Sequence, residues 1–247
     1  MKTNIHVILK KEELDPSKIN NKVVVVFDIL LATSTIATLF HYGAKSVIPV
    51  ENGEKAYEIS NSNKEKDYLL VGEYEGKAIH GFLEPHPTAF KSEAKDRNVI
   101  LSTTNGTVAI KKATTGKRVY AASLLNSESV VNDIVQSLKE ENILLVCAGS
   151  SDTFCIEDFY GAGYFIECLK NEIDLNYTDS AKAAHLFYLA HRTNTVELFQ
   201  ESRVGKMLMD YGFERELEFI TQHSSFEEVP ILRNGELQVK EVVSRKK

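Results

Sequence analysis

The apolar positions of the chain fall into short runs between polar, glycine-marked segments, and the strongest run is VVVVF at Val23–Phe27. Five consecutive residues of this kind predict a strand buried on both faces, as in a parallel sheet covered by helices. Asp28 follows directly, and an apolar-faced helix is predicted to begin near Thr33, Ser34 and Thr35. A carboxylate and hydroxyl groups in this position suggest a metal or phosphate site. Taken alone, they are more typical of an ordinary turn and helix cap.

Strands and helices alternate along most of the chain, which predicts an α/β fold with parallel or mixed sheets flanked by helices. Further strands are predicted at Ile5–Leu9, as an edge strand, and at Ser46–Val50, Tyr68–Val71, Val99–Leu101, Arg118–Ala121 and Ile143–Cys147. Helices are predicted at Gly53–Asn61, at Thr88–Lys95, from about Gly106, and at Asn126–Glu140. We expect residues 1–247 to form one compact unit, with two associated α/β lobes that meet near residues 115–125.

The C-terminal part is predicted to be rich in helices and to end in a β-hairpin. Four helices are predicted, at Ser180–His191, Val196–Glu201, Arg203–Tyr211 and Phe213–Gln222. The hairpin strands are predicted at Val229–Leu232 and Leu237–Val242, around the Asn-Gly pair at positions 234 and 235. Asn-Gly is the dipeptide that a tight two-residue hairpin turn prefers.

Charge and composition exclude several classes of protein. A net charge of −6 argues against a phosphate-backbone binder, so we expect no nucleic-acid partner. No apolar run is long enough to span a bilayer and the N-terminus does not resemble a signal peptide, so we expect no membrane partner and a cytoplasmic location. The three cysteines form no CxxC pair and the seven histidines show no HxxxH or HExxH spacing, which gives no sign of a zinc site.

Acidic side chains follow several predicted strands and are candidates for one metal site. They are Asp28, Glu73 and the adjacent pair Glu157 and Asp158. A further strand leads into STTNGT, which contributes hydroxyl groups and the amide of Asn105. Hard oxygen ligands in this mix suit Mg²⁺, which typically takes one or two carboxylates and fills its other positions with water and substrate phosphate. Each acid and each hydroxyl could equally be a solvated or capping group.

Common phosphate-handling motifs fail at specific residues. A haloacid-dehalogenase-like phosphatase needs a second Asp two residues after the first, where this chain has Leu30. A cysteine phosphatase would need Arg at the position of Thr153, six residues after Cys147. No P-loop, GxGxxG or GxSxG motif is present.

Five blocks of the chain, in order, resemble the motif series of the 2-phosphosulfolactate phosphatases: DILLATSTIAT, GEYEGKAIHGF, STTNGTVA, CAG with the later IEDFYGAG, and SRVGKMLMDYGFERELEF. The resemblance covers nearly the whole chain. It implies an α/β fold with two lobes and a Mg²⁺-dependent phosphatase acting on a small phosphorylated organic acid in coenzyme M biosynthesis. A homodimer is an open alternative to a monomer.

The resemblance also implies roles for individual residues. Asp28, Glu73, Glu157 and Asp158 would be metal-side acids, and Asp28, Glu157 and Asp158 would also be the catalytic acids. The phosphate would be bound by Thr33, Ser34, Thr104, Asn105, Gly106 and Thr107.

Three motif positions depart from the family pattern. The family has Arg where this chain has Leu31, Tyr74 and Val108. Arg is the usual partner of phosphate, sulfonate and carboxylate groups in a dry site, so a trianionic substrate would be bound weakly. Two hypotheses follow: a Mg²⁺-dependent phosphatase for a small anionic phosphate monoester, or a family member that has lost catalysis and binds a less charged ligand or a protein partner.

Overall fold

The computed structural model describes residues 2–63 and 66–239, and over these ranges it is built around one mixed sheet of 11 strands. The strands are β1 Thr3–Ile8, β2 Val23–Phe27, β3 Ser46–Val50, β4 Tyr68–Tyr74, β5 Lys77–Ala78, β6 Asn98–Ser102, β7 Arg118–Ala121, β8 Ile143–Cys147, β9 Leu175–Tyr177, β10 Pro230–Arg233 and β11 Glu236–Val239. The helices are α1 Ala32–His41, α2 Gly53–Ser62, α3 Gly106–Lys112, α4 Ser127–Ser137, α5 Ile156–Glu172, α6 Asp179–His191, α7 Thr195–Glu201, α8 Arg203–Asp210 and α9 Glu214–Ile220. The α/β prediction is confirmed.

The C-terminal hairpin joins two groups of strands into one sheet. The strand order is β5-β4-β6-β3-β11-β10-β7-β2-β8-β1-β9. Pairing is parallel except between β4 and β5 and at the hairpin, whose two strands pair with each other and with β3 and β7 in antiparallel fashion. The hairpin contacts its neighbours through one register pair on each side, Leu237 with Val47 and Ile231 with Tyr120.

Because β2 also pairs in parallel with β8, strands from both sides of residues 115–125 lie in the same group. The boundary between two lobes near these residues stays a prediction.

The strand β2 lies at the centre of the core and is buried on both faces, as its sequence predicts. Val23, Val25 and Phe27 pack into a cluster that includes α4, α5 and α6, whereas Val24 and Val26 pack into a second cluster that includes α1 and α3. Full burial of each such side chain contributes about 1.5–3 kcal/mol. This packing fixes the end of β2, and therefore Asp28, in the interior.

The prediction of an edge strand at Ile5–Leu9 is wrong in its position within the sheet. The strand β1 lies between β8 and β9, with Ile5 paired to Ile143 on one side and to Tyr177 on the other. The outer strand β9 has three residues, of which Leu175 is the buried one. Such a short strand has no apolar periodicity that the sequence could show.

The strand predicted at Tyr68–Val71 is three residues longer in the structure. The strand β4 continues through Tyr74 and turns at Glu75 and Gly76 into β5, so Glu73 lies within a strand and pairs with Ala78. The predicted helix at Thr88–Lys95 is wrong. A 3₁₀ turn occupies Pro87–Phe90 instead, since proline fits the first position of such a turn.

The helical C-terminal part is confirmed, with each of the four helices within two residues of its predicted bounds. The helix α4 ends at Ser137, three residues before its predicted end, because Leu138 is extended. In the hairpin, Asn234 and Gly235 have φ of 51° and 84°, the conformation of the predicted turn. Residues 240–242 of its second predicted strand lie outside the described ranges. In those ranges, no helix is both long and apolar enough to cross a bilayer.

Candidate functional site

A cavity of about 670 Å³ opens at the carboxyl ends of several parallel strands. Its polar side is lined by Asp28 after β2, Glu73 on β4, Thr103 and Thr104 after β6, and Ser150 after β8. In open α/β sheets this edge is where ligands bind, because the loops after the strands converge there. This cavity is therefore the candidate site, and its functional role stays a prediction.

Asp28 is held in place by the start of α1. The Thr33 hydroxyl donates to the Asp28 carbonyl at 2.9 Å and accepts from the Asp28 N–H at 3.1 Å. The Thr33 N–H also donates to that carbonyl at 2.9 Å, and the Ala32 N–H donates to the Asp28 carboxylate. The carboxylate lines the cavity although Asp28 as a residue is 7 % exposed. The structure thus presents one preorganised carboxylate at the bottom of the site.

The first residue of α3 packs directly against this carboxylate. A Cβ atom added to Gly106 would lie 2.6 Å from Asp28 Oδ2 and 2.5 Å from the Ala32 side chain. Real Cβ contacts at such distances do not occur, so the position requires glycine. Gly106 lets α3 approach α1 and the Asp28 carboxylate closely.

Glu73 is locked to the turn after β6. One carboxylate oxygen accepts from the Thr104 N–H at 2.7 Å, and the other accepts from the Thr104 hydroxyl at 3.0 Å and the Gly76 N–H at 2.7 Å. These contacts leave few of its lone pairs unused. Glu73 therefore joins the β4–β5 turn to the Thr104 turn while it lines the cavity.

Glu157 and Asp158 lie at the start of α5, behind the cavity wall. Asp158 accepts from the Ile29 N–H at 2.8 Å and from the Gly149 N–H at 3.0 Å, so it connects the loop after β2 to the loop after β8. The Cys155 thiol and the Ser202 hydroxyl donate to Glu157. Both acids are 2 % exposed. Their contacts support the loops that shape the site.

The buried acids raise one another's pKa values. Burial, together with the negative charges of Glu73 and Glu157, raises the pKa of Asp28 from its usual 3.8 to about 7. The Ala32 N–H and Lys11 oppose this rise. Burial also raises the pKa values of Glu157 and Asp158. Neutral pH is therefore close to the point at which Asp28 gains or loses a proton. A bound cation would favour its ionised form.

Lys11 is a buried cation that the sequence did not identify. Its residue is 7 % exposed, and its ammonium donates to Asn105 Oδ1 at 2.9 Å and pairs with Glu12 at 2.8 Å. The Ser151 N–H donates to the same Asn105 oxygen at 3.3 Å. Lys11 lies in the polar connection after β1, which has no motif or periodicity that could have marked it.

Arg203, the first residue of α8, brings a second cation to the polar side. Its guanidinium donates to the Ser150 carbonyl at 3.0 Å and to the Thr153 hydroxyl at 3.2 Å. Its positive charge also acts on Glu157 and lowers the pKa of that carboxyl against the larger effect of burial. The signal for it in the sequence is the SRVGKMLMDYGF block that carries the resemblance.

The opposite wall is formed by α8 and by the loop after Phe82. This loop contributes Glu84, Pro85 and His86 to the lining. The Thr35 hydroxyl donates to the Pro85 carbonyl at 2.7 Å, and the buried Glu216 carboxylate accepts from both the N–H and the hydroxyl of Thr88. The loop is thereby fastened from two sides.

The predicted site residues divide into two groups. Asp28, Glu73, Thr104 and Asn105 line the cavity together. The other predicted residues, Thr33, Ser34, Gly106, Thr107, Glu157 and Asp158, are buried outside its lining. The hydroxyl groups among them donate to nearby backbone carbonyls, as Ser34 does to Ile29 at 2.9 Å and Thr107 to Thr103 at 2.8 Å. The catalytic, phosphate-binding and metal-binding roles of all these residues stay predictions.

The donor set limits the kind of metal that the site could hold. Within residues 2–63 and 66–239, no three His, Cys, Asp or Glu side chains are arranged as a ligand group for a metal ion. This excludes a ready-made cage of three such ligands from the described residues. Asp28 and Glu73 line one cavity and fit a Mg²⁺ ion that takes one or two carboxylates and keeps waters.

The three positions at which the family resemblance predicts arginine differ in their relation to the cavity. Leu31 lines it. Tyr74 is 61 % exposed and Val108 is half-buried, and neither belongs to the lining. The substitution with a direct effect on the cavity surface is therefore Leu31.

Sequence comparisons agree with this geometry. The profile of the family described as 2-phosphosulpholactate phosphatase matches residues 8–235. A Clostridium tetani protein named "Probable 2-phosphosulfolactate phosphatase" is 34 % identical over 94 % of this chain and 98 % of its own length. Proteins of the same name from Thermotoga maritima and Caldanaerobacter subterraneus are 37 % and 35 % identical, over 91 % and 88 % of this chain and 95 % and 90 % of their own lengths. The chain therefore belongs to the 2-phosphosulpholactate phosphatase family.

Proposed function

We propose that the protein is a Mg²⁺-dependent phosphatase that hydrolyses a small anionic phosphate monoester in the cavity at Asp28. The observation that carries this proposal is the placement of two carboxylates, Asp28 and Glu73, in the same cavity as Thr104, Asn105 and the cationic Arg203. The phosphatase names of the relatives support the same reaction class.

The residues of the cavity have separable tasks in this proposal. Mg²⁺ held by Asp28 and Glu73 would neutralise phosphoryl charge and make a bound water more acidic. The guanidinium of Arg203 is oriented by the Ser150 carbonyl and the Thr153 hydroxyl and keeps further N–H donors for phosphate oxygens. Lys11 holds Asn105 in place and adds positive charge beside the polar side.

The test is phosphate release from a panel of phosphate monoesters in Mg²⁺ and in EDTA. Wild-type protein should release phosphate only with Mg²⁺, and Asp28→Asn should lower kcat by about a hundredfold or more, since it removes a charged ligand from the reacting centre. Asp174→Asn is the matched control, because Asp174 is an exposed acid outside the cavity lining. Turnover that survives EDTA, or no turnover of any ester, would refute the proposal.

One specific observation supports the second hypothesis, in which the protein binds a ligand without hydrolysing it. Leu31 gives the cavity an apolar contact at a position where the family carries a cation. Binding of phosphonates without turnover of the matching phosphate esters would favour this second function.

A further inference from the structure

We infer that the cavity takes a phosphate monoester whose organic part is apolar and bears no second strong anion. The inference rests on the proposed phosphatase function and defines the substrate class at the same site. It follows from three properties of the cavity: the apolar surface opposite its polar side, the balance of charges in its lining, and its size.

The apolar surface is provided mainly by one helix. The side chains that form it are Leu31, Val204, Met207, Leu208, Tyr211 and Phe213. Val204 and Leu208 are buried, at 7 % and 2 % exposure, whereas Tyr211 is 55 % exposed. A surface of this kind gains free energy when it covers an apolar group and offers no partner to a charged one.

The helix α8 packs against the turn between β4 and β5. A Cβ atom added to Gly76 would lie 3.2 Å from Met207 Sδ. The same turn carries Glu73, which is bound to Thr104 on the polar side. A substrate with its phosphate near Asp28 therefore directs its organic part along Met207 and its neighbours on α8.

The charges of the lining disfavour a second anion. Two of the described side chains that line the cavity are basic: Lys77 and Arg203. Arg203 is bound to the Ser150 loop on the polar side, and Lys77 lies at the exposed end of the β4–β5 turn. In the proposed function Asp28 and Glu73 hold Mg²⁺ and Arg203 binds the phosphate, which leaves one positive charge, on Lys77, against the carboxylates of Glu75 and Glu84.

The carboxylate of Glu84, one of the residues that line the cavity, pairs with His86 Nε2 at 2.9 Å. A carboxylate or sulfonate on the substrate would meet this negative charge and an apolar wall, instead of the Arg fork that usually binds such groups. Repulsion and lost hydration would both weaken its binding.

The volume leaves room for an organic group beyond the phosphate. At about 670 Å³ the cavity falls within the range of pockets that enclose small organic ligands. An apolar group of moderate size would fill the space between α8 and the loop that carries Pro85.

Two esters with the same aryl phosphate scaffold distinguish an apolar from an anionic organic part: 4-methylphenyl phosphate and 4-carboxyphenyl phosphate. With Mg²⁺, kcat/KM should be about tenfold or more higher for the methyl compound, the change that one unfavourable charge contact produces. Met207→Arg should reduce this preference by placing a cation on the apolar wall. Leu186→Arg, which adds the same charge on α6 at a residue that is 52 % exposed and outside the lining, should leave it unchanged.

Calorimetric binding of the corresponding phosphonates, with Mg²⁺ present, gives a readout that does not depend on turnover. Preference for the carboxylated ester in turnover, or for the carboxylated phosphonate in binding, would overturn the inferred substrate class and leave the phosphatase function standing. If neither ester is hydrolysed, the relative affinity of the two phosphonates still decides which ligand class the cavity takes, and the wider ester panel decides the phosphatase function.

Discussion

Replacing Asp28 by Asn should stabilise the metal-free protein while it abolishes the function. Asp28 is 7 % exposed, and burial beside other acids raises the pKa of its carboxyl from 3.8 to about 7. Between these two pH values the unfolded state gives up the proton and the folded state retains it. Stability therefore falls as the pH rises from about 4 to about 7, and it stays low above that.

The size of the effect follows from the two pKa values. One pKa unit corresponds to about 1.4 kcal/mol, so ionisation of Asp28 lowers the free energy of unfolding by about 2 kcal/mol at pH 5 and about 4 kcal/mol at pH 8. Asn cannot ionise and avoids both losses. The advantage of Asp28→Asn should therefore grow by about 2–3 kcal/mol from pH 5 to pH 8. Any cost of the new amide in contact with the Ala32 N–H is common to both pH values and cancels in this difference.

The assay is urea-induced unfolding in EDTA at both pH values for wild type and variant. Asp15→Asn is a control of opposite sign, because hydrogen bonds from Ser17 and Lys18 lower the pKa of Asp15 to about 2. This control should show no gain at pH 8. The reasoning is refuted if the advantage of Asp28→Asn is the same at pH 5 and pH 8, or if it shrinks at the higher pH.

Three further substitutions test the surroundings of the site. Gly106→Ala places a Cβ atom 2.6 Å from Asp28 Oδ2 and should lower the free energy of unfolding by about 1–3 kcal/mol, measured in urea, with a matching loss of phosphate release. Glu216→Gln replaces the carboxylate that accepts two hydrogen bonds from Thr88. It should lower the free energy of unfolding by about 1–2 kcal/mol and raise KM, and an unchanged KM would contradict this expectation. Lys11→Met removes a positive charge that lowers the pKa of Asp28, and the acid limb of the pH–rate profile should move to higher pH; a shift to lower pH would contradict it.

The elements that were predicted correctly are those that a short, local sequence pattern determines. Burial on both faces of β2 follows from an uninterrupted run of five apolar residues, and the hairpin follows from its Asn-Gly turn. The edge strand β9 and the 3₁₀ turn at Pro87–Phe90 are too short to carry a period. Their form depends on neighbours that are distant in the sequence.

Some residues of the candidate site could be predicted from the sequence, and others could not. Strand-end positions predicted that Asp28 and Asn105 would face one cavity, because parallel strands end at a common edge. Thr33 and Thr107 are of a residue type that could bind phosphate. In the structure, their hydroxyl groups donate instead to backbone carbonyls within their own turns. The sequence alone does not distinguish these two uses of a hydroxyl group. Lys11 was missed since its role depends on contacts about 94 positions away in the chain.

The proposed function requires Mg²⁺ and phosphate to bind together at Asp28. Isothermal titration of Mg²⁺ into the protein, with and without inorganic phosphate, measures this joint binding. Wild-type protein should bind Mg²⁺ about tenfold or more tightly when phosphate is present, because phosphate oxygens complete the coordination of an ion that has few protein ligands. Asp28→Asn should show neither the binding nor the enhancement. Equal Mg²⁺ affinity with and without phosphate, or an unchanged isotherm in Asp28→Asn, would contradict the account.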